Sequence, residues 1–185
     1  MTLPTTPSQT IGPFFSIMLP LGSNHLVEPG TPGAITIEGK VIDGEGAPVG
    51  DALIEIWQAN PDGIYAHPDD DRYAREGDFN GFGRCLTAAD GSFSFTTLKP
   101  GPVPGFDERV QAPHISVGVF ARGLLKRLAT RIYFPDEEHA NLADPVLASV
   151  EEVHRPTLIA GPAGPDRLHF DIRLRGDGET VFFDV

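Results

Sequence analysis

In "APHISVGVFARG" a histidine, His114, stands two residues before a serine, Ser116, on a stretch whose alternation predicts a β-strand. Alternate residues of a strand share a face and lie about 7 Å apart at roughly 3.3 Å per residue. A second histidine at position 116 would let two imidazoles converge on one ion, and non-haem iron favours such open N/O sites. Serine is a poor iron ligand, and a lone strand histidine also serves as a hydrogen-bonded structural residue. Tyr65 lies in "WQANPDGIYAHPDDDRY", with His67 two residues on and Tyr73 at the end of the segment. A phenolate can ligate ferric iron, so Tyr65 with His67 or His114 is one conceivable metal set. The other reading is a loop aromatic packed on the sheet, with Asp69, Asp70 and Asp71 solvated. The Asp run lacks the D-x-D-x-D-G spacing of a calcium loop. Arg122 alternates onto the His114 face at the end of an apolar strand, to pair with an acid on a neighbouring strand or to meet an anionic ligand. No nucleophile elbow, phosphate loop or zinc-protease helix occurs.

Short strands must position these residues. "ITIEGKV" places Ile35, Ile37 and Val41 on one face, and "DALIEIWQA" alternates Ala52, Ile54 and Ile56 against Leu53, Glu55 and Trp57. An Asp-Gly turn opens "ADGSFSFTTL", which puts Phe93 and Phe95 on one side. "HISVGVFAR" sends Ile115, Val117 and Val119 inward, and "RLHFDIRL" alternates Leu168, Phe170, Ile172 and Leu174 before a "GDG" turn and an expected final strand. A series of turn-bounded strands without long helical periodicity predicts an all-β fold, a two-sheet β-sandwich. One short helix is expected near 136–144, in "DEEHANLAD" with acidic residues in its first turn. Loops 58–83 and 99–113 are long, as functional loops on rigid scaffolds often are. Residues 1–33 carry six prolines and the apolar "IGPFFSIMLPL", which predicts an extended arm lying against a partner, ahead of a sandwich domain over 34–185.

The 185 residues suit one well-buried domain, and Gly 21 with Pro 18 suits many turns. A formal charge of -12 argues against nucleic acid or an anionic membrane as partner. It leaves room for a small anionic substrate held by one local arginine. The single cysteine, Cys85, forms no intrachain disulfide, and no stretch of 18 apolar residues occurs. The start, "MTLPTTPSQTIGPFF", does not read as a secretory signal, so the expected location is the cytoplasm.

Taken in order from about residue 6 to residue 185, "SQTIGPFF", "DALIEIWQANPDGIY", "FNGFGRCLTAADGSFSFTTLKPGP", "APHISVGVFARG", "TRIYFPDEEHANLADPVL" and "HFDIRLRGDGETVFFD" resemble the intradiol ring-cleavage dioxygenases. That family holds a ferric ion with two tyrosines and two histidines. Tyr65 matches the first tyrosine and His114 the first histidine. Val103, in "KPGPVPG", stands at the second tyrosine and Ser116 at the second histidine, so the resemblance implies vestigial ligand positions and no metal in this chain. Gln111 corresponds by spacing to an arginine of the iron-bearing chains, and Phe14 stands where related chains carry tyrosine. The resemblance is to the iron-free α chains of heteromeric members that cleave protocatechuate with O₂ to 3-carboxy-cis,cis-muconate, in the β-ketoadipate route of aromatic catabolism. It implies Fe(III) in a partner β chain, no catalytic residue here, and one wall of the substrate pocket built by Thr10, Gly12 and Pro13 of the arm, with Arg122 facing the substrate anion. Two other readings remain. One is an autonomous iron enzyme with substitute ligands such as His67 or Tyr73; the other is a non-catalytic sandwich that binds a ligand or serves assembly.

Overall fold

The β-branched and aromatic residues that alternate along the chain pair into two sheets facing each other. The computed structural model describes residues 23–73, 79–105 and 109–184. One sheet is built on β1 (Ala34–Ile42). β1 pairs antiparallel with β4 (Ser92–Leu98) on one side. On its other side it pairs parallel with β10 (Arg167–His169) and then β11 (Ile172–Arg173). β9 (Gly161–Gly164) adds antiparallel to β10. The second sheet has the order β3 (Phe82–Leu86), β2 (Leu53–Trp57), β7 (His114–Phe120), β8 (Leu128–Tyr133), all antiparallel. The expected two-sheet sandwich is the architecture found.

Between the sheets lie Ile37, Val41, Phe93 and Phe95 from one layer and Ile54, Ile56, Ile115, Val117, Val119 and Ile132 from the other, all nearly inaccessible. Each such side chain contributes about 1.5–3 kcal/mol on burial. The layers are also joined by Gln58, which is fully buried just past β2. Its amide donates to the Leu98 carbonyl at 2.8 Å and accepts from the Thr97 hydroxyl at 2.8 Å, so a polar strut crosses the core with its groups paired.

The helical part is short. α1 (Glu138–Ala143) falls inside the expected 136–144 window, followed by α2 (Pro145–Ala148) and a 3₁₀ helix (Glu152–Leu158). Together with Ala112 and Tyr133 this stretch builds a second apolar cluster of Leu147, Val150 and Leu158. It covers the outward side of the second sheet near the start of β7 and the end of β8. A two-stranded ribbon, β5 (Val103–Pro104) and β6 (Val110–Gln111), sits beside it. The strand expected after "GDG" is instead a single bridge between Phe183 and Ala129. Of the proline-rich arm, residues 23–26 bridge to β3 and β4 of the same chain, through Ser23 to Arg84 and His25 to Thr96. Thr10, Gly12, Pro13 and Phe14 lie outside the described residues.

Candidate functional site

The outward face of the second sheet is set by register. Trp57, Ser116 and Arg131 stand side by side across β2, β7 and β8, and His114 stands beside Tyr133 in the adjacent row. The structure thus brings His114 and Ser116 to one face, and their roles differ. His114 is 4% exposed, and its Nδ1–H donates to the Ala112 carbonyl at 2.8 Å. Its ring lies 5.8 Å from that of Tyr133. Burial, helped by the positive charge of Arg131, holds the imidazole down at about 4, so it is neutral near pH 7.

Tyr65 is placed by a loop whose folding is local. The Asn60 side chain accepts from the backbone N–H of Asp62 and of Ile64, and the Asn60 carbonyl accepts from Gly63 and Gly101. At Gly63 the backbone has φ +73°, and an added Cβ would stand 2.0 Å from the Pro102 carbonyl oxygen. The "NPDG" and "KPGP" loops therefore cross at a distance only glycine permits. The far side is clamped by Asp70, which accepts the Tyr65 backbone N–H at 3.0 Å and both Nε and Nη2 of Arg72, while Arg72 also reaches the Gly63 carbonyl at 2.8 Å. The Arg72 guanidinium holds the Asp70 carboxyl down at about 2. Asp69 and Asp71 are exposed, as a solvated run would be, whereas Asp70 is a structural clamp. Tyr65 itself stacks on Trp57, with ring centroids 6.0 Å apart and planes within 12°. Burial pushes its phenol up, and the nearby Arg131 offsets part of that rise. The His67 side chain is largely exposed, 3.6 Å from the Asp69 carboxylate, while its backbone joins the loop, its N–H donating to the Tyr65 carbonyl and its carbonyl accepting from the Asp70 N–H.

The donor set does not fit a ferric ion. Val103 is buried at 3% exposure and offers only methyl groups, where the resemblance places a phenolate. Ser116 offers one neutral hydroxyl, and His114, with its Nδ1–H on the Ala112 carbonyl, offers Nε2 alone. The guanidinium of Arg131 adds a positive charge that acts on both Tyr65 and His114. Among the described residues no group of three His, Cys, Asp or Glu side chains is arranged to hold a metal.

Arg131 carried no signal in its sequence neighbourhood. It donates to the Gln111 side chain at 2.7 Å and to the Tyr133 hydroxyl at 3.3 Å. Tyr133 in turn donates to Asp144 at 3.0 Å. Asp144, wholly buried, also accepts the backbone N–H groups of Ala112, Val146 and Leu147, capping α2. Arg122 lies beyond the far end of β7 from His114, with its side chain 83% exposed and Nε 2.8 Å from Asp51. It forms the ion pair that strand position suggested, with its guanidinium still open to solvent. Among the described residues no helix is long and apolar enough to cross a membrane.

Residues 20–176 match the family described as Dioxygenase. The chain is 43% identical to the protocatechuate 3,4-dioxygenase alpha chain of Pseudomonas putida, over 98% of this chain and 97% of that one. It is 38% identical to the protocatechuate 3,4-dioxygenase beta chain of Burkholderia cepacia, over 82% of this chain and 63% of that one. Among solved structures, the dioxygenase domain of a dioxygenase carbohydrate-binding protein fusion from Streptomyces sp. SirexAA-E superposes with a TM-score of 0.59 at 31% identity, covering 95% of this chain and 99% of that one. A sandwich of this topology, matched along nearly its whole length, makes the chain a member of the intradiol ring-cleavage dioxygenases.

Proposed function

We propose that this chain is the iron-free α subunit of a cytoplasmic, heteromeric protocatechuate 3,4-dioxygenase. It would work with an iron-bearing β subunit in cleaving protocatechuate with O₂ to 3-carboxy-cis,cis-muconate. The observation that carries the reading is full-length similarity to an alpha chain, supported by valine and serine, Val103 and Ser116, at two of the four positions where the resemblance places ligands. The ferric ion of the partner supplies the ring-opening chemistry. The part of this chain is to bind and orient. Thr10, Gly12 and Pro13 of the arm would line one wall of the pocket at the boundary between subunits. Arg122 would face the substrate carboxylate; its solvent-exposed guanidinium, tethered among the described residues by Asp51, supports that role. A charge-assisted contact of this kind contributes about 1.5–3 kcal/mol, enough to separate protocatechuate from uncharged catechol.

The test is iron content, visible spectrum and protocatechuate turnover of the chain purified alone and after mixing with an iron-bearing β chain. The expected result is neither iron nor tyrosinate-to-iron colour alone, with turnover only in the mixture. One iron per isolated chain would overturn the reading in favour of an autonomous enzyme. A β chain equally active without this one would leave it a scaffold.

A further inference from the structure

Between the covered end of the second sheet and the edge at β3 lies a groove of about 600 Å³, lined by Trp57, Phe82, Ser116, Arg127 and Arg131 together with Glu55 and Asp184. That volume lies in the range of small-molecule sites, about 300–1,000 Å³.

The charge of the groove is unlike that of the molecule. Its two acids are already neutralised: Glu55 accepts from Arg84 at 2.8 and 2.5 Å, and Asp184 accepts from Lys126 at 2.6 Å. Its two arginines, Arg127 and Arg131, have no acidic partner among the described residues. Arg131 is fixed by neutral partners, the Gln111 amide oxygen and the Tyr133 hydroxyl. The aliphatic stem of Arg127 passes over Gly118, where a Cβ would stand 3.1 Å from its Cδ. A protein of net charge -12 thus keeps two unneutralised guanidinium groups in one concave, partly aromatic surface. Such groups hold carboxylates through paired N–H donors.

The shape narrows the ligand. Trp57 and Arg131 stand in one register row with Ser116 between them, so two strand spacings, about 10 Å, separate the aromatic wall from the cation. A six-membered ring with one carboxylate spans that gap, ring edge toward Trp57 and Phe82, carboxylate toward Arg131 and Arg127.

We infer that this groove is a metal-independent binding site for aromatic carboxylates, separate from the pocket at the subunit boundary. Cation and aromatic wall are supplied by the protein alone, so the site recognises its ligand without altering it. It requires neither iron nor the partner subunit.

Trp57 is the single tryptophan of the chain, so its emission reports occupancy. The full chain, purified alone, is titrated with benzoate and with its uncharged counterpart benzamide, and heat of binding gives the stoichiometry. The expected result is a saturable change in Trp57 emission with one benzoate per chain. Affinity should fall at least about tenfold in Arg127→Ala, whose exposed side chain is not needed for folding, and fall with added salt. Arg131→Gln should lose the same discrimination between benzoate and benzamide. No saturable response, an equal response to benzamide, or benzoate affinity unchanged in Arg127→Ala would each overturn the assignment.

Discussion

The Tyr133 hydroxyl donates to the Asp144 carboxylate at 3.0 Å and so ties the last residue of β8 to the cap of α2. The carboxylate is inaccessible to solvent and has four donors, so its charge is stable in place only while they are kept. Asp144→Ala is expected to cost about 3 kcal/mol or more, because the α2 cap, the Ala112 N–H and the tyrosine hydroxyl all lose their acceptor. Tyr133→Phe removes one donor of four and should cost about 1–2 kcal/mol. Urea unfolding of the two variants decides it, and equal losses would show that the tyrosine rather than the carboxylate organises this corner.

Acid should weaken the fold through His114. Its imidazole is held at about 4 in the folded chain against 6.5 when unperturbed. Between these values the unfolded chain binds the extra proton, so stability is full above pH 6.5 and declines as pH falls toward 4. The loss from this one group approaches about 3 kcal/mol. A His114→Gln variant should show a flatter decline over the same window. An NMR titration placing the His114 midpoint near 6.5 would remove the effect.

At the loop crossing, Gly63→Ala meets both a left-handed backbone and the Pro102 carbonyl. The expected cost is about 1–3 kcal/mol, accompanied by a changed Trp57 emission as Tyr65 shifts off its stack. Thermal unfolding and fluorescence give the two readouts. Unchanged emission would mean that Asp70 and Arg72 alone hold Tyr65 in place.

The pair Asp51–Arg122 is exposed, so breaking it should change stability by less than about 1 kcal/mol. Arg122→Ala in the assembled enzyme should raise KM for protocatechuate by about tenfold or more, with iron content unchanged. Asp51→Ala, which frees the arginine, should leave KM near its starting value. A KM unaffected by Arg122→Ala would confine that arginine to its ion pair.

Alternation made the sandwich legible wherever one strand face was continuously apolar. Ile35 to Val41, Ile54 with Ile56, Phe93 with Phe95, and Ile115 to Val119 all face the core as read. Two full strands, β3 and β8, escaped because "FGRCL" and "LATRIY" carry no clean alternation, and the other pieces that escaped are short or interrupted. β5 and β6 are two residues each and have no period to read, and the helical turns after Asp144 carry Pro145 and Pro156. At the site, the placement of His114 and Ser116 on one outward face followed from the strand. Arg131 did not, because its contacts, Gln111 and Tyr133, come from a ribbon and a strand packed beside each other only in three dimensions. The roles of Gln58 and Asn60 were hidden for the same reason: a buried amide looks like any loop amide until its carbonyl partners at Leu98 and Gly101 are known.

The strand at the centre of the first sheet, β1, receives its parallel neighbours from the end of the chain, and Lys40 N–H finds its carboxylate acceptor at Asp171, 131 residues downstream. During synthesis that side of β1 waits on the order of ten seconds for the residues that cover it. Until then it is an open edge of the kind that recruits other strands. That side of β1 therefore closes only once residues 167–173 are available, and a chain cut short before residue 167 would keep nearly all of its core residues and present an unprotected template for aggregation.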